Sequence, residues 1–313
     1  MIQLEDIRNK RIGFSVLNWG LGHVTRCIPL IVRLQKQSND LIIFCNEEQQ
    51  TMFSQYVKGA VFVRHEGYPF HFRGKGRFKA DLLLGAKTLI DFLKMEYRLV
   101  EGYITKYDLE YLISDQRFGF YSPKLPTVLI THQIKFPLKG LYKLINLLNT
   151  YQLSKFETIW VMDDPIYMFA GKLSRIGSLK RAIYIGCHSR FELGAKMKVK
   201  TRKGVLVING PAAYTTLLIN SFSDQIKSGE IESIVGPIFV QELLTERNIR
   251  TSFVSSQEMS EVDAVLRTSA TIFGFFGYTT LMDCLELNCA YDLIPTPGQD
   301  EQQYLAKRHK KSL

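Results

Sequence analysis

The sequence predicts an α/β protein built from two parallel-sheet domains, and three observations carry that prediction. Short apolar, β-prone runs alternate with segments of helical periodicity along most of the chain, the pattern of parallel strands joined by crossover helices. The alternation falls into two similar series, one on each side of residues 184–202. The 313 residues also exceed the size at which one hydrophobic core usually stops growing.

In chain order, Arg11 to Leu17 reads as a buried strand, Asn18 to His23 supplies turn glycines, and Val24 to Gln37 spaces its apolar residues as a helix. Leu41 to Cys45 is a second strand. Ala80 to Thr105 is a helix, Tyr111 to Ser114 and Thr127 to Thr131 are strands, and Leu138 to Tyr151 is a helix. Residues 184–202 hold two glycines, five basic residues and no clear period, so the boundaries are a first domain over 1–188, a linker over 189–203 and a second domain over 204–313. In the second series Gly204 to Ile208, Ile231 to Val235, Ile249 to Val254, Thr271 to Phe275 and Tyr291 to Ile294 are strands. Thr215 to Lys227, Met259 to Ser269 and Thr279 to Leu287 are helices. Little chain follows Ile294, so the second domain reads as shortened.

Composition narrows the class. Hydrophobic residues at 46% and charged residues at 22% exclude a largely disordered chain. No apolar run approaches the length of a spanning helix and the N-terminus has no apolar signal core, so a cytoplasmic protein is expected. Five cysteines, Cys27, Cys45, Cys187, Cys284 and Cys289, form an odd set without a CxxC pair, which speaks against a disulfide framework and a zinc site. The net charge of +10 implies an anionic partner: nucleic acid, an acidic lipid surface or a phosphorylated ligand. Basic residues concentrate in the HFRGKGRFK segment around Arg73 and Lys75 and near the C-terminus, where either cluster also reads as a solvated face. No nucleic-acid module or aromatic RNA-binding motif accompanies the charge, and nucleic acid is set aside.

Three turns could carry chemistry. The loop Asn18-Trp19-Gly20-Leu21-Gly22-His23 joins a strand to a helix, where glycines let backbone N–H groups approach an anion at the positive helix end. Thr25 stands where a dinucleotide fingerprint has its third glycine, so that reading is poor. His23 would lie at the mouth of the sheet, as a reacting group or as a structural helix-start histidine. Phe276 to Asp283 repeats the strand-to-helix turn, with Gly277, Tyr278, Thr279, Thr280 and Asp283 suited to a diphosphate and a ribose. A helix capped by Thr279 or Thr280 explains the same residues. Pro295 to Tyr304 is a rigid loop followed by an amide-rich helix start, and amides match sugar hydroxyls. Asp115 in SDQRFG and His132 in THQ follow strands of the first series and should reach the same sheet edge as His23.

The motifs GLGH at Gly20 to His23, RGKG at Arg73 to Gly76, GYTTLMD at Gly277 to Asp283 and PTPGQDEQQY at Pro295 to Tyr304 come in an order that resembles GT-B glycosyltransferases. Among these the sequence is most similar to family 28, the peptidoglycan-type N-acetylglucosaminyltransferases. The resemblance implies two Rossmann-like domains facing a cleft, with the acceptor on the N-terminal side and a nucleotide sugar on the C-terminal side. It implies a metal-independent hexosyltransferase that moves N-acetylglucosamine or another hexose from a UDP-sugar to a lipid-linked or glycan acceptor. No cofactor beyond the UDP-sugar co-substrate and no metal is implied. His23 would face the acceptor, as general base or as a group that orients a phosphate, and by their positions after strands Asp115 and His132 would either share the catalytic work or fix their loops by hydrogen bonding. Gly210, Gly277, Tyr278, Thr279, Thr280, Asp283, Gln302 and Gln303 would bind the donor, Asp283 taking the ribose. Gly20, Gly22, Arg73 and Lys75 would bind the acceptor, and the basic segment would touch an anionic leaflet on the inner face of the plasma membrane. Phe275, Phe276 and Pro211 depart from the family pattern, with the two phenylalanines either narrowing the nucleotide site or packing beneath it. Those departures keep open a non-catalytic nucleotide-sugar-binding protein or partner subunit, and an epimerase or hydrolase would use the same fold.

Overall fold

The computed structural model describes all residues other than 21, 70–72, 74, 75, 77–83, 138–142, 167, 168, 178, 195–198 and 310–313. The chain divides into two compact units, the first holding residues 1–19, 23–71 and 80–188 and the second residues 20–22, 72–79 and 189–313.

The first unit is a seven-stranded, all-parallel sheet of β1 (Arg11–Val16), β2 (Asp40–Cys45), β3 (Val61–Arg64), β4 (Tyr111–Asp115), β5 (Thr127–Thr131), β6 (Thr158–Val161) and β7 (Ala182–Tyr184), in the order β3-β2-β1-β4-β5-β6-β7. The described helices are α1 (Gly22–Lys36), α2 (Glu47–Tyr56), α3 (Ala86–Tyr107) and α4 (Lys143–Leu153). Strands β1, β2, β4, β5 and β6 are buried almost residue by residue, which is why they read as continuous apolar runs. Around Phe44 the core is aromatic: Tyr103 stacks at 4.5 Å, with Tyr107 and Phe120 at 5.7 and 5.4 Å.

Helix α2 and strands β3, β6 and β7 lie outside the elements expected from periodicity. The start of α2 has a local cause: Asn46 Oδ1 accepts from Gln49 N (2.9 Å) while Gln49 Oε1 accepts from Asn46 N (3.2 Å), a capping box with Glu47 and Glu48 in the first turn.

The second unit is a five-stranded parallel sheet of β8 (Arg202–Val207), β9 (Ser233–Gly236), β10 (Ser252–Ser255), β11 (Ser269–Phe275) and β12 (Ala290–Ile294), in the order β10-β9-β8-β11-β12. Its helices are α5 (Thr215–Ser221), α6 (Ser223–Lys227), α7 (Phe239–Glu246), α8 (Met259–Thr268), α9 (Tyr278–Glu286) and α10 (Asp300–His309). The helix expected over Thr215 to Lys227 is two pieces. Phe222 interrupts it and is buried edge-on against Phe273 with ring centroids 5.3 Å apart. The first part of the expected linker is ordered within this unit. Arg190–Leu193 form a 3-10 turn capped by Ser189, whose Oγ accepts from Phe191 N (3.2 Å) and whose N donates to Glu192 Oε1 (2.9 Å).

In each sheet the strand order reverses once, between β1 and β4 in the first and between β8 and β11 in the second. An open parallel sheet presents its ligand crevice at the carboxyl ends of the strands flanking such a reversal. The loops after β1 and β4, and those after β8 and β11, are therefore where chemistry belongs.

Candidate active site

In the first unit the reversal point brings together His23 from the first turn of α1, Asp115 from the last position of β4 and His132 just beyond β5. Gly20, at φ +88°, gives the β1 to α1 loop a turn that a side chain would strain. His23 Nδ1 lies 2.7 Å from Asp115 Oδ2. Arg26, one turn further along α1, sits among all three: its Nε donates to Asp115 Oδ2 (3.2 Å), its Nη2 to Asp115 Oδ1, and its Nη1 to His132 Nδ1 (3.0 Å). Its Nη2 also approaches His23 Nδ1 at 2.8 Å. The His23 side chain keeps 15% of its surface exposed whereas Asp115 is fully buried, so the imidazole is the member of the pair open to solvent.

The electrostatics follow from this packing. Burial alone would raise the Asp115 carboxyl, but Arg26 and His23 outweigh it and hold the group down to about 2. His23 is pushed below the usual histidine range, first by burial and then by Arg26, against the pull of Asp115. Both shifts act on stability in the same sense. The folded state resists protonation at each group, so their contribution is present at neutral pH and is lost as pH falls, below about 6.5 for His23 and toward 2 for Asp115. For Asp115 the shift is worth about 2 kcal/mol at neutral pH. Urea unfolding of the first unit is expected to show stability declining from pH 6.5 to pH 3, with a flatter profile in Asp115→Asn; equal slopes would refute the assignment.

A second buried ion cluster supports the turn after Asp115. Arg117 Nε donates to Glu96 Oε1 (2.6 Å), His65 Nε2 donates to the same oxygen (2.9 Å), and Arg117 Nη2 donates to the Glu66 carbonyl (2.6 Å). Arg117 packs against the Tyr68 ring at 5.0 Å, and Tyr68 OH accepts from Phe118 N (2.7 Å). Ser114 Oγ donates to the Arg117 carbonyl (2.7 Å) and accepts from Arg117 N (3.1 Å), closing a tight turn in which Gln116 takes φ +57°. Burial would lift Glu96, but Arg117 and His65 keep its carboxyl low. Periodicity missed Arg26, Glu96 and Arg117 because their burial is set by partners on other elements rather than by local spacing. The readable signal for Arg26 was a charge on the otherwise apolar face Val24 to Ile31 of α1.

In the second unit Asn209, just after β8, binds the end of β11. Its Oδ1 accepts from Phe275 N (2.7 Å), and its Nδ2 donates to Phe275 O and Thr280 Oγ1 (2.9 Å each). Gly210 follows at φ +84°, with Phe275 against the position a Cβ would take. Gly277 caps α9 and no side chain closes its cap, so the turn relies on Asn209. Tyr278 is buried. Asp283, on α9, accepts from Ser189 Oγ (2.6 Å) and from Arg190 Nη1 (2.8 Å), while Arg190 Nε donates to Asp263 (2.7 Å). Burial pushes the Asp283 carboxyl up more than Arg190 and Ser189 draw it down. Gln302 Oε1 accepts from Thr296 N (2.7 Å), tying the proline loop to the first turn of α10, and Gln303 is exposed.

The structure thus joins His23, Asp115 and His132 in one cluster and groups Gly210, Gly277 and Thr280 around Asn209. It gives both oxygens of Asp283 to Ser189 and Arg190 rather than leaving an open carboxylate. Arg73 is exposed, and Lys75 lies outside the described residues. Phe275 and Phe276 pack beneath the turn, edge-on to Tyr214 at 6.4 Å and stacked on His309 at 6.0 Å, and are almost fully buried. Among the described residues no group of three or more His, Cys, Asp or Glu side chains is arranged so that it could hold a metal ion, and no helix is long and apolar enough to cross a membrane.

No family model and no curated protein matches the chain. Solved structures do match over nearly its whole length. Spinosyn rhamnosyltransferase SpnG complexed with thymidine diphosphate is similar at TM-score 0.62 and 15% identity, covering 96% of this chain and 84% of that one. Glycosyltransferase SnogD from Streptomyces nogalater gives 0.59 and 15%, covering 95% and 84%. MurG from Acinetobacter baumannii gives 0.51 and 11%, covering 96% and 84%. With its two parallel sheets of seven and five strands, the chain has the GT-B fold of these glycosyltransferases.

Proposed function

We propose that the protein is a glycosyltransferase that moves a hexose, N-acetylglucosamine by the resemblance of its motifs, from a UDP-sugar to a hydroxyl of a lipid-linked or glycan acceptor. The observation that carries the reading is the pairing of a partly exposed His23 with a buried, ionised Asp115 at the reversal point of the first sheet. Such a pair orients an imidazole and stabilises the imidazolium that forms when it accepts a proton. His23 takes the proton of the acceptor hydroxyl as its oxygen attacks the anomeric carbon. The bond from that carbon to the nucleoside diphosphate breaks, and the diphosphate leaves with the electron pair. The start of α9, at the positive end of the helix dipole and beside the hydroxyls of Thr279 and Thr280, receives the diphosphate's charge, so the step is proposed to be metal-independent.

Phe275 and Phe276 are compatible with the reading, because both side chains are buried beneath the turn rather than projecting from it. Asp283 contacts the ribose through the second lone pairs of its carboxylate, with Ser189 and Arg190 fixing its position. Arg73 and its basic neighbours in sequence are proposed to meet an anionic leaflet.

Calorimetric titration with uridine diphosphate, thymidine diphosphate and adenosine diphosphate tests the donor assignment. SpnG binds thymidine diphosphate, so the pyrimidine ligands are both informative. Selective binding of uridine diphosphate is expected, weakened at least tenfold in Asp283→Ala. Normal binding by that variant removes the ribose role. Binding of a UDP-sugar without transfer to any acceptor would move the chain to the non-catalytic reading.

A further inference from the structure

We propose that Arg26 is a positioning residue that fixes where the protons sit on both histidines, setting His23 and His132 in opposite tautomers. The inference rests on the transferase reading for its purpose and on the geometry of the first unit for its content.

A guanidinium can only donate. The nitrogen of His132 that faces Arg26 Nη1 at 3.0 Å, Nδ1, must therefore accept, and the proton of a neutral His132 belongs to Nε2. At His23 two neighbours make opposite demands on Nδ1. Asp115 Oδ2 at 2.7 Å asks it to donate, and Arg26 Nη2 at 2.8 Å would have it accept. Arg26 settles the contest against itself. By donating to both oxygens of Asp115 it keeps that buried group a carboxylate, which has no proton to give, and one of the two Nη2 hydrogens is directed at Oδ1. An unprotonated Nδ1 would place its lone pair against the carboxylate oxygen, whereas a protonated Nδ1 makes a charge-assisted hydrogen bond. His23 accordingly carries its proton on Nδ1 and presents the lone pair of Nε2.

The same guanidinium opposes a second proton on His23. The charged and titratable groups facing His23 are Arg26 on its own helix, Asp115 from β4 and His132 beyond β5, with Cys27 of α1 facing Asp115. Only Asp115 is anionic, and its charge is shared with Arg26. The imidazole therefore remains a free base to lower pH than an Asp–His pair alone would allow. This is a property the paired carboxylate by itself does not supply, and it gives a buried cation a task inside a site that otherwise needs a base.

The test is long-range proton–nitrogen NMR of the full chain labelled with nitrogen-15 in its histidine rings, with His23→Gln and His132→Gln assigning the signals. Expected in the unmodified protein are a Nδ1–H tautomer for His23 and a Nε2–H tautomer for His132. In Arg26→Gln the His23 titration should move up by roughly one pH unit or more, because the opposing charge is gone and Asp115 acts on His23 alone. A Nε2–H tautomer at His23 in the unmodified protein, or an unmoved titration in Arg26→Gln, overturns the proposal. Should Arg26→Gln fail to fold, Arg26→Lys serves: it keeps the charge but lacks the planar fork. His23 should then still titrate low while the single tautomer of His132 is lost, and a variant with both histidines unchanged overturns the proposal. These readouts need no sugar donor. If they come out as expected and no transfer is found, the functional reading fails alone; transfer by a protein whose His23 carries its proton on Nε2 would remove only this inference.

Discussion

Replacing His23 by glutamine is expected to lower kcat by about a hundredfold to ten-thousandfold, the range that a positioned general base contributes. The donor dissociation constant should stay unchanged, because the proposed donor residues Gly277, Thr279, Thr280 and Asp283 belong to the second unit whereas His23 belongs to the first. Steady-state kinetics with a saturating sugar donor, set beside calorimetry on the same variant, separate the two effects. A variant that keeps wild-type kcat would show that His23 is not the base. One that loses donor binding as well would show that His23 acts through the structure. The pH profile of kcat/KM adds a sign. His23 titrates below its ordinary value, so the acid limb is expected below pH 6.5, where the imidazole takes up its second proton and can no longer accept one from the acceptor.

The largest loss of stability is expected at Glu96. This carboxylate, Arg117 and His65 are buried together, and Glu96 Oε1 receives a hydrogen bond from each partner. Substituting Glu96 by alanine leaves the Arg117 cation in the core without its counter-charge, a change that typically costs about 3–5 kcal/mol. That is a large fraction of the stability of an ordinary domain. Because Arg117 also holds the turn that follows Asp115, the damage should reach the His23 cluster, seen as faster amide exchange at residues 114–119. Urea unfolding of Glu96→Ala, Arg117→Met and the double variant closes a double-mutant cycle. The double variant is expected to be more stable than either single one, since removing both charges abolishes the unpaired ion. Strictly additive losses would show that the two side chains are not coupled.

How far the chain could be read in advance varied with the kind of signal. Strands β1, β4, β5, β8 and β11 announce themselves as mostly apolar runs, because a strand covered on both faces does not need polar residues at alternate positions. Short elements did not. The TIWV strand at Thr158–Val161 and the edge strand at Ala182–Tyr184 are too brief for a period to emerge, and they exist because neighbouring strands pair with them. Phe222 shows the converse: the helical pattern runs through it, yet the chain breaks there to bury the ring against Phe273.

Site residues divide in the same way. His23, Asp115 and His132 were legible because each is a titratable side chain at the carboxyl end of a strand or in the loop or helix start that follows one. Arg26 was only half legible, since its charge on an apolar helix face marks the position but nothing in VTRCIPL shows which acceptors the buried cation meets. Asp283 was legible as a carboxylate beside a glycine turn, but its partners Ser189 and Arg190 lie in a stretch that reads as linker. Their distance along the chain, more than ninety residues, hides the contact from any local pattern.

What the sequence by itself determined is therefore the alternation of strands and helices, the two-domain plan and the loops in which chemistry would be sought. Each follows from local propensity and from the period at which apolar side chains recur. What only the tertiary structure decided is the ionisation and partnership of the groups in those loops. Asp115 is held as a carboxylate because a guanidinium from another element reaches it, His23 turns Nδ1 inward because Asp115 lies 2.7 Å from it, and Phe275 and Phe276 lie under the turn because Tyr214 and His309 cover them. Charge placement depends on distances between atoms remote in sequence and on how much water is excluded between them, and neither quantity is encoded in any single stretch of chain.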